Sequence, residues 1–238
     1  MQLINTSHKS PNHSSRNGTP ISMLLIHASA GSFASALSWL CSSASKVSSH
    51  YLLAKNGAVY ALVPLELAAW HAGRARHNGV TDLNACSVGI ELANLNDGRD
   101  PYPPPQIDSA VLLCRTLIAR FNIERGDVVR HRDVALPSGR KTDPAGLAWK
   151  AFTDRLYAEP YAGDTHYRVR RTVTGGATIR SAPRINGAVL GRLRAGDDFY
   201  GEPIEGNMVT IYGFGSSRVW ARSSTMQHIW MGLLEKVT

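Results

Sequence analysis

Short apolar runs separated by polar turns occupy the first two thirds of the chain, and they predict alternating strands and helices. Residues 23–26 are apolar over the length of a buried strand, and His27 follows at the strand tip before a Ser/Gly-rich stretch. Residues 50–55 and 58–63 predict two more strands, because the Asn-Gly pair between them is typical of a hairpin. The opening pattern therefore predicts a strand that presents a histidine, followed by a hairpin.

Later segments add strands and helices of the same kind. Residues 87–92 alternate as a strand does, although Gly89 weakens the strand propensity. Residues 105–122 carry apolar side chains at helical spacing, which predicts an amphipathic helix. A further apolar strand is predicted to end in His131. A last helix is predicted from about Pro144, a residue suited to a helix start.

The composition changes after Tyr157 and divides the chain into two predicted domains. Residues 158–164 lack periodicity and contain Pro and Gly, so they are interpreted as a linker between residues 1–157 and residues 165–238. The second domain holds only short strand-like runs divided by closely spaced turn residues, which predicts a small all-β barrel. Its apolar residues 226–234 fit a closing strand, a helix or an interaction segment.

Composition and charge narrow the class of protein. The chain has 238 residues, of which 43% are hydrophobic and 18% charged, as in ordinary globular proteins. Its net charge of +8 favours an acidic partner such as nucleic acid, anionic lipid or cell-wall polymer. Residues 165–238 carry 10 Lys or Arg against 5 Asp or Glu. Because no basic helix or aromatic-interleaved basic strand accompanies the charge, nucleic-acid binding rests on charge alone, and no nucleic-acid partner is predicted.

Cysteine usage and hydropathy indicate neither a disulfide framework nor a membrane span. Cys41, Cys86 and Cys114 are odd in number and lie among apolar or small residues, so they are expected to be core residues. No window approaches the roughly 18 continuous apolar residues of a membrane helix. Lys9 and Arg16 before the first apolar run imitate a secretory leader, but that run is shorter than the roughly 7–15 residues of a leader core. We therefore expect no signal peptide.

Two histidines and one aspartate are candidates for a metal site. His27 and His131 end strands, and Asp143 lies in a polar turn before a helix, which is where a rigid scaffold presents catalytic groups. Two imidazoles and one carboxylate satisfy a catalytic zinc, which takes three protein ligands and keeps one position open. No spacing motif joins the three residues, so spacing alone favours a structural, hydrogen-bonded role for the histidines over zinc binding.

Seven collinear blocks over residues 10–157 resemble the type 2 N-acetylmuramoyl-L-alanine amidase family, which includes peptidoglycan-recycling amidases, amidase-type phage lysozymes and peptidoglycan recognition proteins. The blocks are Ser-Pro-Asn-His (10–13), Gly-Thr-Pro-Ile-Ser-Met-Leu-Leu-Ile-His (18–27), Ser-Ser-His-Tyr-Leu-Leu (48–53), Ala-Trp-His-Ala-Gly (69–73), Ser-Val-Gly-Ile-Glu-Leu (87–92), Val-Val-Arg-His-Arg-Asp-Val-Ala (128–135) and Gly-Arg-Lys-Thr-Asp-Pro (139–144). The resemblance implies an α/β fold with a mixed central sheet flanked by helices.

The resemblance also implies a reaction and its residues. One zinc ion would be bound by His27, His131 and Asp143, Glu91 would activate the attacking water, and Lys141 would stabilise the oxyanion. The implied reaction is hydrolysis of the amide between N-acetylmuramic acid and L-alanine of the stem peptide. These roles are chemically coherent, because zinc polarises a carbonyl, a carboxylate can carry a proton to the leaving nitrogen, and a cation meets the charge on the tetrahedral oxygen.

Each implied role has a simpler competitor. Glu91 could be a solvent-facing strand residue, and Lys141 could be a solvated loop charge. Some family members place a catalytic tyrosine where this chain has Ser49, which moves more of the chemistry onto Glu91. Asp133 could partner the ligand His131 or cap the local turn, and the second is slightly favoured.

Three more residues are expected near the cleft. The resemblance places His71 on the wall of the substrate cleft, and Trp70 could stack on a sugar face or lie in the core. His50 is expected to support the site by hydrogen bonding rather than to bind metal or substrate. The Pro-rich loop of residues 94–105 is expected to line one rim of the cleft.

The second domain resembles bacterial SH3-like modules, and this suggests how the whole chain is used. The resemblance lies in Ala-Thr-Ile-Arg-Ser-Ala-Pro (177–183), Val-Leu-Gly-Arg-Leu-Arg-Ala-Gly (189–196) and Val-Trp-Ala (219–221). Such modules accompany wall hydrolases and bind wall components. We expect a peptidoglycan hydrolase with no obligate protein partner, made in the cytoplasm and delivered to the periplasm or wall as a phage endolysin or secreted antibacterial effector. The alternatives are a cytoplasmic recycling amidase acting on soluble anhydro-muropeptides and a non-catalytic recognition protein.

Overall fold

The computed structural model describes residues 4–157, 165–169, 177–180, 189–193, 197–211, 215–222, 228–230 and 234–236. Contacts divide the chain into a compact unit of Ile4–Tyr157 and a second unit that contains the later strands. None of the helices in the described ranges is long and apolar enough to cross a membrane.

The first unit is built on a mixed sheet of six strands, as the sequence predicted. The strands of this unit are β1 (Ile4–Asn5), β2 (His13–Ser15), β3 (Met23–Ala28), β4 (Tyr51–Leu53), β5 (Val59–Ala61), β6 (Leu67–Ala69), β7 (Ser87–Leu92) and β8 (Val128–Arg130). The sheet has the order β1-β5-β4-β7-β3-β8, and within it only β4 and β5 pair in antiparallel fashion. A separate antiparallel pair joins β2 and β6.

Helices cover the sheet, and their ends follow from the sequence. They are α1 (Phe33–Leu40), α2 (Leu83–Cys86), α3 (Pro104–Phe121), α4 (His131–Val134) and α5 (Trp149–Leu156), with 3-10 turns at Ser43–Ser45 and Arg125–Asp127. The amphipathic α3 is confirmed, with prolines in its first turn and Asn122 in the left-handed conformation at its end. The last helix begins at Trp149, not near Pro144, because Gly146 has a φ of +75° that a right-handed helix excludes.

The predicted hairpin forms, with a three-residue connection. The backbone N–H of Ala54 donates to the carbonyl of Ala58, and the N–H of Gly57 donates back to Ala54, at 2.8 and 2.9 Å. Gly57 has a φ of +87°, the left-handed conformation that closes such a loop with a bulge. The Asn-Gly pair therefore predicted the turn correctly, and Gly57 supplies the positive φ that the turn requires.

Strand alternation separates the two faces of the sheet. Leu24 and Ile26 of β3, with Val88 and Ile90 of β7, belong to the main core that α3 and α5 cover. The alternate positions of β3 point the other way, since Leu25 packs in a second cluster with residues that include Leu83 and Val134. The same alternation places His27, Ser87, Gly89 and Glu91 on this second face. Cys86 and Cys114 are buried, as the sequence predicted for core residues, whereas Cys41 is only partly buried.

The described strands of the second unit form one antiparallel sheet of seven strands in the order β11-β10-β14-β13-β12-β9-β15. They are β9 (Thr165–Val169), β10 (Ala177–Arg180), β11 (Val189–Leu193), β12 (Asp198–Ile211), β13 (Gly215–Arg222), β14 (His228–Trp230) and β15 (Leu234–Lys236). β12 is continuous through Gly206-Asn207, one of the turn-residue pairs that were expected to divide the strands of this domain, because the ladder shifts register between Glu205 and Val209 instead of reversing. The predicted linker, residues 158–164, lies outside the described residues. The SH3-like barrel remains a prediction.

Candidate active site

Neighbouring strand ends bring the candidate ligands together. β3 pairs in parallel with β7, in a register that places His27 opposite Glu91, and with β8 on its other side. β8 ends at Arg130, so His131 is the first residue of α4 rather than the last of the strand. Asp143 arrives from the following loop, where its carbonyl accepts the backbone N–H of Arg132 at 2.9 Å.

His27, His131 and Asp143 form a buried cluster whose donor atoms fit one metal ion. One potential ligand atom from each residue lies within 4.8 Å of the others. Asp143 Oδ2 is 3.3 Å from His27 Nδ1 and 3.0 Å from His131 Nδ1. These separations suit a tetrahedral zinc site, in which bonds of about 2.0–2.1 Å place the ligand atoms about 3.3 Å apart.

Hydrogen bonds at the opposite side of each ring orient the imidazoles. His131 Nε2 donates to the carbonyl of Ala72 at 3.1 Å, which leaves its Nδ1 lone pair directed into the cluster. His27 Nε2 lies 3.0 Å from Nδ1 of His71. The two histidines therefore both present Nδ1 to the carboxylate of Asp143.

Burial and charge set opposite pKa shifts on the two carboxylates. Burial by itself would raise the pKa of Asp143, but the neighbouring imidazoles of His131 and His27 outweigh burial and hold the pKa well below its usual value. Burial raises the pKa of Glu91 to about 8, and the charge of Asp143 adds to the increase, while Lys141 opposes it. Glu91 Oε2 is buried with no hydrogen-bond partner among the described residues, so Glu91 is not a solvent-facing strand residue. Burial also lowers the pKa of His27 to about 4.

A cavity of about 680 Å³ opens over the cluster and Glu91. Arg140, Lys141 and Thr142 line one side, and Lys141 is exposed there. Asn96 of the Pro-rich loop lines the rim as expected, and it bonds to Thr142 Oγ1 at 3.1 Å and to the backbone N–H of Ala145 at 2.7 Å. This loop therefore steadies the segment that carries Asp143.

Apolar side chains also line the cavity, and sequence reasoning missed one of them. Trp70 lines it, with its indole Nε1 donating to Ser14 Oγ at 3.2 Å. Trp39 of α1 also lines it and is 58% exposed. The available signal was its place on a short helix whose buried positions are Ala36 and Leu40, because a tryptophan outside that stripe needs another partner.

Of the two remaining predicted histidines, His71 is among the residues that line the cavity and His50 is not. His50 is fully buried, accepts the N–H of Gly89 at Nδ1 (2.9 Å), and has its Nε2 near the carbonyl of Leu67 (3.0 Å) and the Arg16 guanidinium (2.8 Å). Arg16 was given no role from the sequence, yet it is buried and donates to several carbonyls beside the site.

Asp133 takes neither of the roles considered for it. Arg130 donates to both of its carboxylate oxygens, at 2.7 and 2.9 Å, and α4 has no side-chain cap. The partners of His131 are Asp143 and Ala72 instead.

Comparisons with known proteins find relatives in one enzyme family. A model of the N-acetylmuramoyl-L-alanine amidase family matches residues 17–146, more than half of the chain. N-acetylmuramoyl-L-alanine amidase AmiD of Escherichia coli (strain K12) is 38% identical over 141 residues, covering 53% of this chain and 50% of that protein. 1,6-anhydro-N-acetylmuramyl-L-alanine amidase AmpD of Enterobacter cloacae is 35% identical over 109 residues, covering 44% of this chain and 55% of that protein. The chain thus spans about half the length of the curated relatives it matches.

Solved structures are similar as well. The complex of AmiD from E. coli with anhydro-N-acetylmuramic acid-L-Ala-D-gamma-Glu-L-Lys has a TM-score of 0.54 and 32% identity, and covers 66% of this chain and 64% of that one. AmpDh3 from Pseudomonas aeruginosa in complex with anhydromuramic pentapeptide has a TM-score of 0.51 and 28% identity, with 66% of each chain covered. A mutant endolysin from Bacillus subtilis, at 23% identity and a TM-score of 0.51, covers 66% of this chain and 99% of that one, and shares the fold.

Proposed function

Because the chain belongs to the N-acetylmuramoyl-L-alanine amidase family, we propose that it hydrolyses the amide bond between N-acetylmuramic acid and L-alanine of peptidoglycan or of soluble muropeptides. The observation that carries the proposal is the convergence of His27, His131 and Asp143 beside Glu91 at the base of one cavity. A protein that only recognised peptidoglycan would need neither a complete ligand set nor a buried carboxyl group beside it.

The ligand set favours zinc. Two imidazole nitrogens and one carboxylate oxygen are the donors of many catalytic zinc sites, and three protein ligands leave a position for water or substrate. Zinc bound there would lower the pKa of water and polarise the substrate carbonyl, which an otherwise unreactive amide requires. His27, His131 and Asp143 would hold the ion.

Glu91 and Lys141 would handle the proton and the charge. Glu91 would accept a proton from the attacking water and return it to the leaving nitrogen, since a base whose pKa lies near the working pH is most effective at both steps. Lys141 lines the same cavity and would face the negative oxygen that develops at the attacked carbonyl.

Different residues of the cavity lining would contact chemically different parts of the substrate. Trp39 and Trp70 would offer apolar surface to a sugar ring or to the apolar side of a stem peptide, while Arg140 and Lys141 would offer positive charge to its carboxylates and carbonyls. The AmiD and AmpDh3 complexes with anhydromuramyl peptides support a muropeptide as the ligand.

The second unit would hold the enzyme on the wall. We propose that its β-strands form an SH3-like module and that its basic surplus, 10 Lys or Arg against 5 Asp or Glu in residues 165–238, favours the polyanionic wall. Intact wall is then the preferred substrate, with delivery to the periplasm or wall. The alternative, recycling of soluble anhydro-muropeptides in the cytoplasm, is favoured by the AmpD relatives.

One experiment tests both levels of the proposal. The purified full chain is expected to contain about one zinc and to release stem peptide from anhydro-muropeptide, with the release abolished by a chelator and by His27→Ala. His77→Ala is the matched control, because His77 pairs with Asp127 outside the cavity lining. Zinc-loaded protein that leaves the substrate intact would refute the enzyme. Equal rates on sacculi with and without residues 165–238 would refute the wall-binding role.

A further inference from the structure

Building on the proposed function, we propose that His71 is a positioning residue that fixes the tautomer of His27, so that the Nδ1 lone pair of His27 points at the metal. Gly89 of the neighbouring strand provides the space in which His71 does this. The proposal gives a function to two residues that contact neither the reacting bond nor the metal position directly.

The hydrogen positions follow from a chain of contacts that ends at a carbonyl. His27 Nε2 lies 3.0 Å from His71 Nδ1, and His71 Nε2 lies 3.3 Å from Ser87 Oγ. Ser87 Oγ contacts the carbonyl oxygen of Leu83, which can only accept a hydrogen bond.

Ser87 has one hydroxyl hydrogen, and it goes to Leu83. The Ser87 oxygen therefore accepts from Nε2–H of His71, which leaves Nδ1 of this neutral ring as an acceptor. His27 must then donate through Nε2–H, so its Nδ1 has the lone pair and faces Asp143 at 3.3 Å.

Both the ring and the backbone of His71 are held in place. Asn84 Oδ1 accepts the backbone N–H of His71 at 3.0 Å and that of Ala72 at 2.9 Å. The side chain is buried, and both ring nitrogens bond within the protein, which leaves neither of them for a hydrogen bond to substrate. These contacts favour a positioning role over direct substrate binding.

Gly89 explains how a histidine ring fits against the sheet. A Cβ atom at position 89 would lie 2.5 Å from Cγ and 2.7 Å from Nδ1 of His71, closer than real Cβ atoms approach. The φ of Gly89 is not positive, so alanine suits the backbone and only the imidazole excludes it. Glycine at position 89 lowers the strand propensity, but it allows the His71 ring to pack directly on the backbone of β7.

Substitutions that keep or remove the acceptor test the proposal. His71→Leu removes it at similar size, whereas His71→Asn restores it, because Asn Oδ1 is bonded to Cγ as His Nδ1 is. Gly89→Ala displaces the ring without removing any polar group. Gly126→Ala is the matched control, since a Cβ there meets nothing within 4 Å.

Two measurements at fixed pH are independent of hydrolysis. Nitrogen-15 NMR of the metal-free protein reports the His27 tautomer, and competition with a chromophoric chelator gives the zinc dissociation constant. We expect the Nε2–H tautomer in wild type, His71→Asn and Gly126→Ala. In His71→Leu and Gly89→Ala we expect mixed tautomers and zinc binding about 10- to 100-fold weaker, as for other outer partners of ligand histidines.

The outcomes separate this inference from the proposed function. A folded His71→Leu with the wild-type tautomer and zinc affinity would overturn the inference, and lost hydrolysis in that same variant would assign His71 to the substrate. If His71→Leu does not fold, Gly89→Ala decides by the same two measurements. If wild type cleaves no muropeptide while these shifts occur, the proposed function fails and the positioning role stands.

Discussion

Replacing Glu91 with glutamine in the metal-free protein should reveal a carboxylic acid that is protonated in the folded state. The substitution keeps the size and removes only the ionisable group. Burial and the charge of Asp143 raise the pKa of Glu91 from 4.5 to about 8 in the folded protein. In the unfolded chain the pKa of Glu91 returns to its ordinary value of 4.5, so between pH 4.5 and about 8 the group takes up a proton when the chain folds.

The sign and size of the effect follow from this difference in pKa. Stability from a raised folded pKa is fully present below about 4.5 and is lost as pH rises through about 8. At about 1.4 kcal/mol for each pKa unit, wild type should lose about 3 kcal/mol relative to Glu91→Gln between pH 4.5 and 7. The full loss above the folded pKa would be about 5 kcal/mol.

Urea unfolding of both metal-free proteins at several pH values measures this loss. The free energy of unfolding of Glu91→Gln minus that of wild type should increase steadily from pH 4.5 to about 8. All other ionisable groups, those of the second unit included, are shared by the two proteins, so the difference isolates position 91. A difference that stays constant over this range would show that Glu91 is ionised in the folded protein and would refute the reasoning.

The remaining predictions concern activity, metal and core. In the zinc-loaded enzyme, Glu91→Gln should keep its metal and lower kcat by about 10²- to 10⁴-fold, measured by release of stem peptide; unchanged kcat would exclude Glu91 as the base. Lys141→Ala should lower kcat by about 10²-fold or more with zinc content unchanged, whereas a change in KM alone would indicate simple binding. Chelation should lower the Tm of wild type and leave that of Asp143→Ala nearly constant, since a ligand stabilises only the state that binds it. Leu24→Ala at a fully buried position should cost about 2–5 kcal/mol in urea unfolding; a negligible cost would contradict the assigned core.

Period-two alternation and turn residues made most of the first unit predictable. The strand before His27, the hairpin and α3 follow from local patterns that agree with the packing found. The start of α5 did not follow, because proline at 144 suits a helix start while the positive φ of Gly146 depends on how the loop meets its neighbours. In the second unit the Gly-Asn pair in β12 marks a register shift, which local sequence does not distinguish from a turn.

The site was predictable in its ligands but not in its support. His27, His131 and Asp143 were named from strand ends and from a family resemblance, and they converge as one cluster. Arg16 and Gly89 carried no such signal, since their importance lies in contacts between segments distant along the chain, and Trp39 carried only its place outside the buried stripe of α1. From the sequence, Gly89 only weakened the strand propensity. In the structure it leaves the space that the ring of His71 occupies.

The contrast between the two carboxylates assigns their roles more firmly than sequence position does. Asp143 lies against two imidazoles, which keep its pKa low and the group ionised as a permanent ligand. Glu91 Oε2 has no hydrogen-bond partner among the described residues, so burial and the charges of Asp143 and Lys141 set its ionisation, and it can gain or lose a proton at modest cost. A dication held by the cluster would lower the pKa of Glu91 from about 8 toward neutrality. Burial keeps Glu91 protonated without metal. With the ion bound, its pKa would lie near neutral pH, so metal binding would itself prepare Glu91 to act as the base.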